Sequence, residues 1–269
     1  MDIRALEELE GRQKKKEDGS ERTLPALNRA GRFAAVVLAA GRGSRMNSQV
    51  QKQYMLLDGK PLIYYSLKTF EDAPVKDIVL VTGAEEIEYC RKEIIEKYGF
   101  NKILAVVSGG KERYHSVYEG LKCLKAQGGY GQGDYVLVHD GARPFADAGL
   151  IARVMDDSVR YGACVAGMPS KDTVKLSDDA GFAGVTPDRS RVWTVQTPQG
   201  FSYSLLREAY DKMMGRVEYQ AGVTDDAMVV ESMTRHKVRL TLGSYRNIKV
   251  TTPEDMLVAE TFIHHTSGV

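Results

Sequence analysis

The sequence predicts an α/β protein: a Rossmann-like, mostly parallel sheet with helices on both faces and a protruding β-hairpin arm. Three observations carry this expectation. Short apolar runs recur over 33–40, 78–82, 103–107, 135–140 and 163–166, as in strands buried on both faces. Several of the intervening segments hold apolar residues at helical spacing, such as Ile63, Leu67 and Phe70, or Val117, Leu121 and Leu124. Over 171–185 the pattern changes to polar–apolar alternation around a turn at Ser177-Asp178-Asp179-Ala180-Gly181, which reads as a hairpin. Ligands of such sheets gather at the carboxyl ends of the strands.

Composition sets the outer bounds. With 269 residues and 43% hydrophobic content, the chain can bury a full core. Residues 33–269 read as one domain, with the arm at about 171–190. Residues 1–32 are dense in both signs of charge and poor in apolar residues, and read as a flexible extension outside that domain. The competing reading is a basic arm that docks a partner. The 37 basic residues nearly match the 36 acidic ones, so nothing points to a nucleic-acid surface, and any anion site must come from local cations. Cys90, Cys123 and Cys164 lie among apolar neighbours without metal-site spacing, which suits a reduced cytoplasmic protein. No apolar run approaches the roughly 18 residues of a membrane span, and the first thirty residues lack the apolar core of a secretion signal.

Taken in order, the first strand, 33–40, stops at Gly41-Arg42-Gly43. Glycines there allow a tight turn with exposed N–H groups, and small Ala39 and Ala40 keep the approach clear. Arg42, Arg45 and Lys52 follow, with no acidic residue anywhere between Arg42 and Tyr54. Such a turn suits a polyphosphate. The dinucleotide fingerprint is excluded because Met46 replaces its third glycine, and the kinase loop fails with it. The P-loop is excluded because Gly59-Lys60 runs into Pro61 and Gly110-Lys111 into Glu112. A basic turn after a core strand is the competing reading.

Further along, Asp58-Gly59 marks a turn and Pro61 a first helical position, and 85–98 reads as a helix. Ser108-Gly109-Gly110 opens another helix, with Ser116 in its first turn, so N–H groups and a hydroxyl can read a base or ribose. Ser116 as a plain helix cap is the alternative. Asp140 ends the strand at 135–140, facing the glycine turn, as a hard-oxygen ligand for Mg²⁺ would; pairing with Arg143 is its alternative. Beyond the arm, helices are expected from Tyr203, from Thr224-Asp225-Asp226 and from Thr252-Pro253, with a strand over 238–242.

The motifs together resemble the 2-C-methyl-D-erythritol 4-phosphate cytidylyltransferase family over 33–262. They are Leu38-Ala39-Ala40-Gly41 with Gly43, Arg45 and Met46; Lys52-Gln53-Tyr54; Gly109-Gly110 with Ser116; Val138-His139-Asp140 with Ala142-Arg143-Pro144; Asp172-Thr173; Asp188-Arg189; Thr197-Pro198-Gln199; Thr224-Asp225; and Asn247-Ile248-Lys249-Val250-Thr251. The resemblance implies a transferase that joins CTP, with Mg²⁺, to a phosphorylated polyol. It implies that Arg45 and Lys52 hold the triphosphate, that Gly110 and Ser116 help read cytidine, and that Arg143, Thr173, Arg189, Thr224 and Lys249 place the sugar phosphate. It also implies a homodimer in which the arm reaches the neighbour's site. Ribitol 5-phosphate cytidylyltransferase and a non-catalytic nucleotide-binding protein are the alternative readings. Lys111, Gly141 and the residues before Phe33 depart from the family pattern.

The chemistry agrees with this inventory. A phosphate monoester, with a second pKa near about 6, is already a nucleophile at neutral pH, so cations matter more than a general base. Nothing in the sequence suggests a Ser-His-Asp set, a His-Glu-x-x-His motif or paired Cys-x-x-Cys.

Overall fold

A computed structural model describes residues 31–41 and 51–265. Seven strands form the central sheet, in the order β5-β4-β1-β6-β8-β7-β9. They are β1 (Phe33–Leu38), β4 (Asp77–Thr82), β5 (Ile103–Ser108), β6 (Tyr135–Asp140), β7 (Ala163–Pro169), β8 (Trp193–Ser202) and β9 (Arg239–Leu242). β2 (Leu56–Leu57) and β3 (Lys60–Pro61) make a separate two-residue ribbon. β1 pairs in parallel with β4 and β6, β4 with β5, and β7 with β9, whereas β8 runs antiparallel to both β6 and β7. The order reverses direction around β1 and β6, so their carboxyl ends form the crevice of an open α/β sheet.

Alternation along β1 shows why helices cover both faces. Ala35 and Val37 point to a layer holding Ile63, Leu67 and Phe70 of α1 (Leu62–Asp72). The same layer takes Leu150, Ile151 and Val154 of α3 (Ala148–Tyr161). Ala34 and Val36 point the other way, to Val117, Leu121 and Leu124 of α2 (Arg113–Gly128), Leu206, Tyr210 and Met213 of α4 (Tyr203–Met214), and Val229 and Val230 of α5 (Asp226–Met233). α6 (Pro253–His264) starts at a capping box between Thr252 and Asp255 and packs Met256 and Ala259 against Leu57 and Leu62. Among the described residues, no helix is long and apolar enough to cross a membrane.

Several local expectations change. The helix read over 85–98 starts as a 3-10 turn (Ala84–Glu86), passes through one α-turn (Ile87–Tyr89) and widens into a π-helix (Cys90–Glu96) that buries Cys90 and Ile94. Pro61 caps α1 rather than opening its first turn, because it still pairs with Leu56 in the ribbon. β8 crosses the sheet through Pro198. Proline fits there because the β7–β8 register shifts between Val165 and Gly167, leaving no ladder bond that needs its missing N–H. The arm is a hairpin with little strand character: Ser177 and Ala183 form a single bridge, and Leu176 exchanges backbone bonds with Gly184 and Val185. Asp178 fixes its tip by accepting from the N–H groups of Ala180 and Phe182.

Arg32, assigned to the extension from sequence, is bound into the domain; residues 1–30 of that extension lie outside the described residues. Its N–H and guanidinium donate to Asp134, its NH1 donates to Gly128 O, and its charge lies 4.3 Å from the Tyr130 ring centre. Burial opposes ionisation of Asp134, but hydrogen bonds from Arg32 and Gly131 outweigh it and hold the carboxyl below its ordinary value. This stabilisation is present above the unfolded carboxyl value of about 3.9 and is lost as the pH falls through the lower folded value. Asp134→Asn is expected to destabilise the protein by about 1–3 kcal/mol at pH 7. The deficit should narrow in acid, which urea titrations at several pH values would show; a pH-independent difference would contradict the ionic role.

Candidate active site

The carboxyl ends of β1 and β6, the start of α2 and the loop before α6 enclose a cleft of about 660 Å³ that is open to solvent. It is lined by Leu38, Ala39, Ala40 and Gly41 after β1, and by Lys52 and Gln53. Gly110, Lys111, Glu112, Arg113 and Ser116 line the α2 side, with Asp140, Ala142 and Lys249 opposite. Four cations thus face two carboxylates.

Each wall has a local cause. The buried Gln53 donates to Ala39 O at 2.5 Å, fixing the backbone where β1 ends. Gly109 packs so closely that a Cβ there would lie 2.5 Å from Ser116 Oγ and 2.6 Å from Ala40 Cβ, so only glycine brings the two loops together. The Gly110 N–H donates to Ser116 Oγ at 3.2 Å. Ser116 is not the helix cap: Glu112 and His115 form the capping box of α2, which leaves the Ser116 hydroxyl on the cleft wall.

Asp140 forms the floor. Its Oδ1 accepts from Arg113 Nε at 3.2 Å and its Oδ2 lies 2.7 Å from Lys249 Nζ. Burial by itself would favour the neutral acid, but Arg113, Lys249 and Arg143 outweigh it and hold the carboxyl well below the usual carboxylate range. The pair with Arg143, the alternative reading of Asp140, is not made directly. Arg143 NH1 donates instead to Asn247 O at 2.8 Å. Lys249 sits between two anchors, the Asn247 side chain donating to Thr197 O at 2.8 Å and the Val250 N–H donating to Ala142 O at 2.8 Å.

His139 locks the turn that joins Asp140 to Arg143. His139 Nε2 lies 3.1 Å from Arg143 O, a carbonyl that only accepts, so Nε2 carries the proton. Nδ1 of the neutral ring then accepts from the Thr197 hydroxyl at 3.1 Å, while Thr197 Oγ1 accepts the Asp140 N–H at 3.0 Å. Burial pushes the His139 pKa down to about 4, so the ring is a neutral strut at physiological pH.

Of the residues expected from sequence, Ala39, Ala40, Gly41, Lys52, Gly110, Ser116, Asp140 and Lys249 line one cleft, and Gly109 stands directly behind it. Arg143 lies beside the floor without lining it. Thr173 and Arg189 sit on the arm, where Arg189 NH1 donates to Lys171 O, and Thr224 is exposed ahead of α5; none of the three lines the cleft within one chain. Gly43 and Arg45 lie outside the described residues. Sequence reasoning gave no role to Arg113, the innermost cation. A cation in a helix's first turn opposes the helix dipole, and that signal, with an Asp140 in need of balance, marks it.

Among the described residues, no group of three or more His, Cys, Asp or Glu is placed to hold a metal ion. Asp140 is the one carboxylate on the cleft floor. A hard cation that takes most of its ligands from phosphate and water needs only one or two protein carboxylates, so this ionised group fits that use.

Comparisons with known proteins agree with this geometry. The profile of the family described as IspD, 2-C-methyl-D-erythritol 4-phosphate cytidylyltransferase, matches residues 33–265. The chain is 52% identical over 233 residues to the enzyme of that name from Lachnoclostridium phytofermentans, covering 86% of this chain and 96% of the relative. It is 44% identical to that of Geotalea uraniireducens, covering 86% and 97%. Among solved structures, 4-diphosphocytidyl-2C-methyl-D-erythritol synthase from Anaerococcus prevotii superposes with a TM-score of 0.75 at 34% identity, covering 87% of this chain and 96% of that one. With its fold and nearly the full length of these relatives in common, the chain belongs to the 2-C-methyl-D-erythritol 4-phosphate cytidylyltransferase family.

Proposed function

We propose that the cleft binds CTP together with a divalent cation, Mg²⁺, and that a homodimer transfers the cytidylyl group to 2-C-methyl-D-erythritol 4-phosphate, giving 4-diphosphocytidyl-2-C-methyl-D-erythritol and pyrophosphate. The observation that carries this is the set of cations around one fully ionised carboxylate, at the switch point of an open α/β sheet, in a chain of this family.

The acceptor phosphate attacks the α-phosphorus, the new P–O bond forming as the bond to pyrophosphate breaks. A monoester dianion needs no base, and among the described residues no histidine lines the cleft. Lys52 and Lys249, which line the cleft, are assigned to neutralise charge that builds on the transferring group and leaving pyrophosphate, and Arg45 is assigned the same task from its motif. Gly110 and Ser116, on the α2 wall of the cleft, are assigned to the nucleoside. Asp140 would hold the divalent cation, with phosphate oxygens completing its shell, and that ion would supply further charge neutralisation. Arg143, Thr173, Arg189 and Thr224 are assigned to the acceptor. Since Thr173 and Arg189 do not line their own chain's cleft, they are assigned to a partner's. The arm supports this, because Phe182 is 72%, Val185 62% and Leu176 53% exposed, more apolar surface than a lone hairpin leaves in water.

Pyrophosphate release tests the reading. CTP with methylerythritol phosphate should turn over and CTP with ribitol 5-phosphate should not; the reverse preference would assign the other acceptor. Lys52→Ala should lower kcat about 10²- to 10³-fold with an unchanged melting temperature, by analogy with loss of a preorganised donor. Near-normal turnover would remove Lys52 from the reaction. Deletion of 172–187 with a short glycine link is expected to give inactive monomers in sedimentation, and an active arm-deleted protein would refute the shared site.

A further inference from the structure

Arg113 is the first residue of α2, where its charge must be balanced from outside the helix. Its two terminal nitrogens donate to Asp226, NH1 to Oδ1 at 3.0 Å and NH2 to Oδ2 at 2.8 Å, while Nε faces Asp140 Oδ1 at 3.2 Å. Asp226 is fully buried, opens α5 two residues after Thr224, and accepts the Tyr210 hydroxyl at 2.5 Å. Its N–H and that of Ala227 donate to Gln199 Oε1 on β8, at 3.1 and 2.9 Å. Two residues earlier on β8, Thr197 accepts the Asp140 N–H. The links close a ring through Asp140, Arg113, Asp226, Gln199 and Thr197 that ties the starts of α2 and α5 and the end of β6 to the middle of β8.

We propose that Asp226, which lies outside the cleft, is a positioning residue for the transfer reaction: it occupies the two-pronged side of Arg113, so that only Nε–H reaches Asp140. A guanidinium left free would take both oxygens of the Asp140 carboxylate, since parallel paired bonds are its preferred geometry. That arrangement would displace Lys249 from Oδ2, where its Nζ now lies at 2.7 Å. Asp226 thereby keeps Lys249 on Oδ2. The inference rests on the reading of the cleft as the nucleotide site.

The test measures kcat per CTP-binding site, with sites counted by calorimetry of CTP in the presence of magnesium chloride. Asp226→Asn keeps the side chain's shape but turns one arm of the acceptor into a donor against Arg113. Its kcat per site is expected to fall about tenfold or more, with a binding stoichiometry and an acceptor KM like those of the parent. A residue that only stabilised the fold would lower the number of sites and leave kcat per site alone. In an Arg113→Gln background, Asp226→Asn should cause no further loss, because Asp226 acts through Arg113. Full additivity, or kcat per site within about twofold of the parent, overturns the proposal. Should Asp226→Asn fail to fold, Tyr210→Phe decides: it removes only the hydroxyl bond to Asp226, and about a threefold loss per site is expected, whereas none overturns the role. Lys52→Ala run alongside separates the two readings. If it loses turnover and the Asp226 and Tyr210 variants do not, the positioning role alone falls; if none does, the cleft assignment falls as well.

Discussion

One carboxylate, Asp140, and the cations ranged against it govern the layout of the site. Arg113 and Lys249 touch its two oxygens, and the charge of Arg143 is felt close by. A single buried acid cannot balance them. Asp226 takes up part of the charge on Arg113, and what remains on the cleft side faces solvent, where a polyanion can supply the missing negative charge. The site is therefore unsatisfied by design of its charges rather than by any void in its packing.

The scaffold exists to keep those groups where they are. β1 and β6 end side by side, Leu38 paired with Asp140, so the glycine turn and the carboxylate emerge from adjacent strands. The antiparallel β8 then supplies two struts from one strand, Thr197 to the Asp140 N–H and Gln199 to the start of α5. His139 remains neutral between Thr197 and Arg143, which spares the cluster another positive charge. Asp140, His139, Thr197 and Gln199 are thus each held by a partner from a different element, and such bonds brace the floor.

Much of this was legible in the sequence because it is local. Apolar runs of strand length, helical spacing at Ile63, Leu67 and Phe70, and the capping box at Thr252 each depend on residues near one another in the chain. The cleft was legible too, since Ala39 to Gly41, Gly110, Ser116 and Asp140 all sit where strands end. What escaped depends on distant pairing. No strand is expected over 193–202 from the sequence, and only the register shift opposite Pro198 explains how β8 crosses the sheet. The Arg113–Asp226 link joins residues 113 positions apart, and no spacing rule reaches that far. The bond from Arg143 to the Asn247 carbonyl escaped for the same reason, as Asn247 arrives from 104 residues away.

A crystal structure of the protein with CTP bound tests the central claim most directly. The account predicts the triphosphate in the cleft within hydrogen-bond reach of Lys52, its metal-facing side toward Asp140, and the cytosine beside Gly110 and Ser116. A nucleotide seated elsewhere, for example in the groove between Tyr203, Arg207 and Lys125, would contradict it.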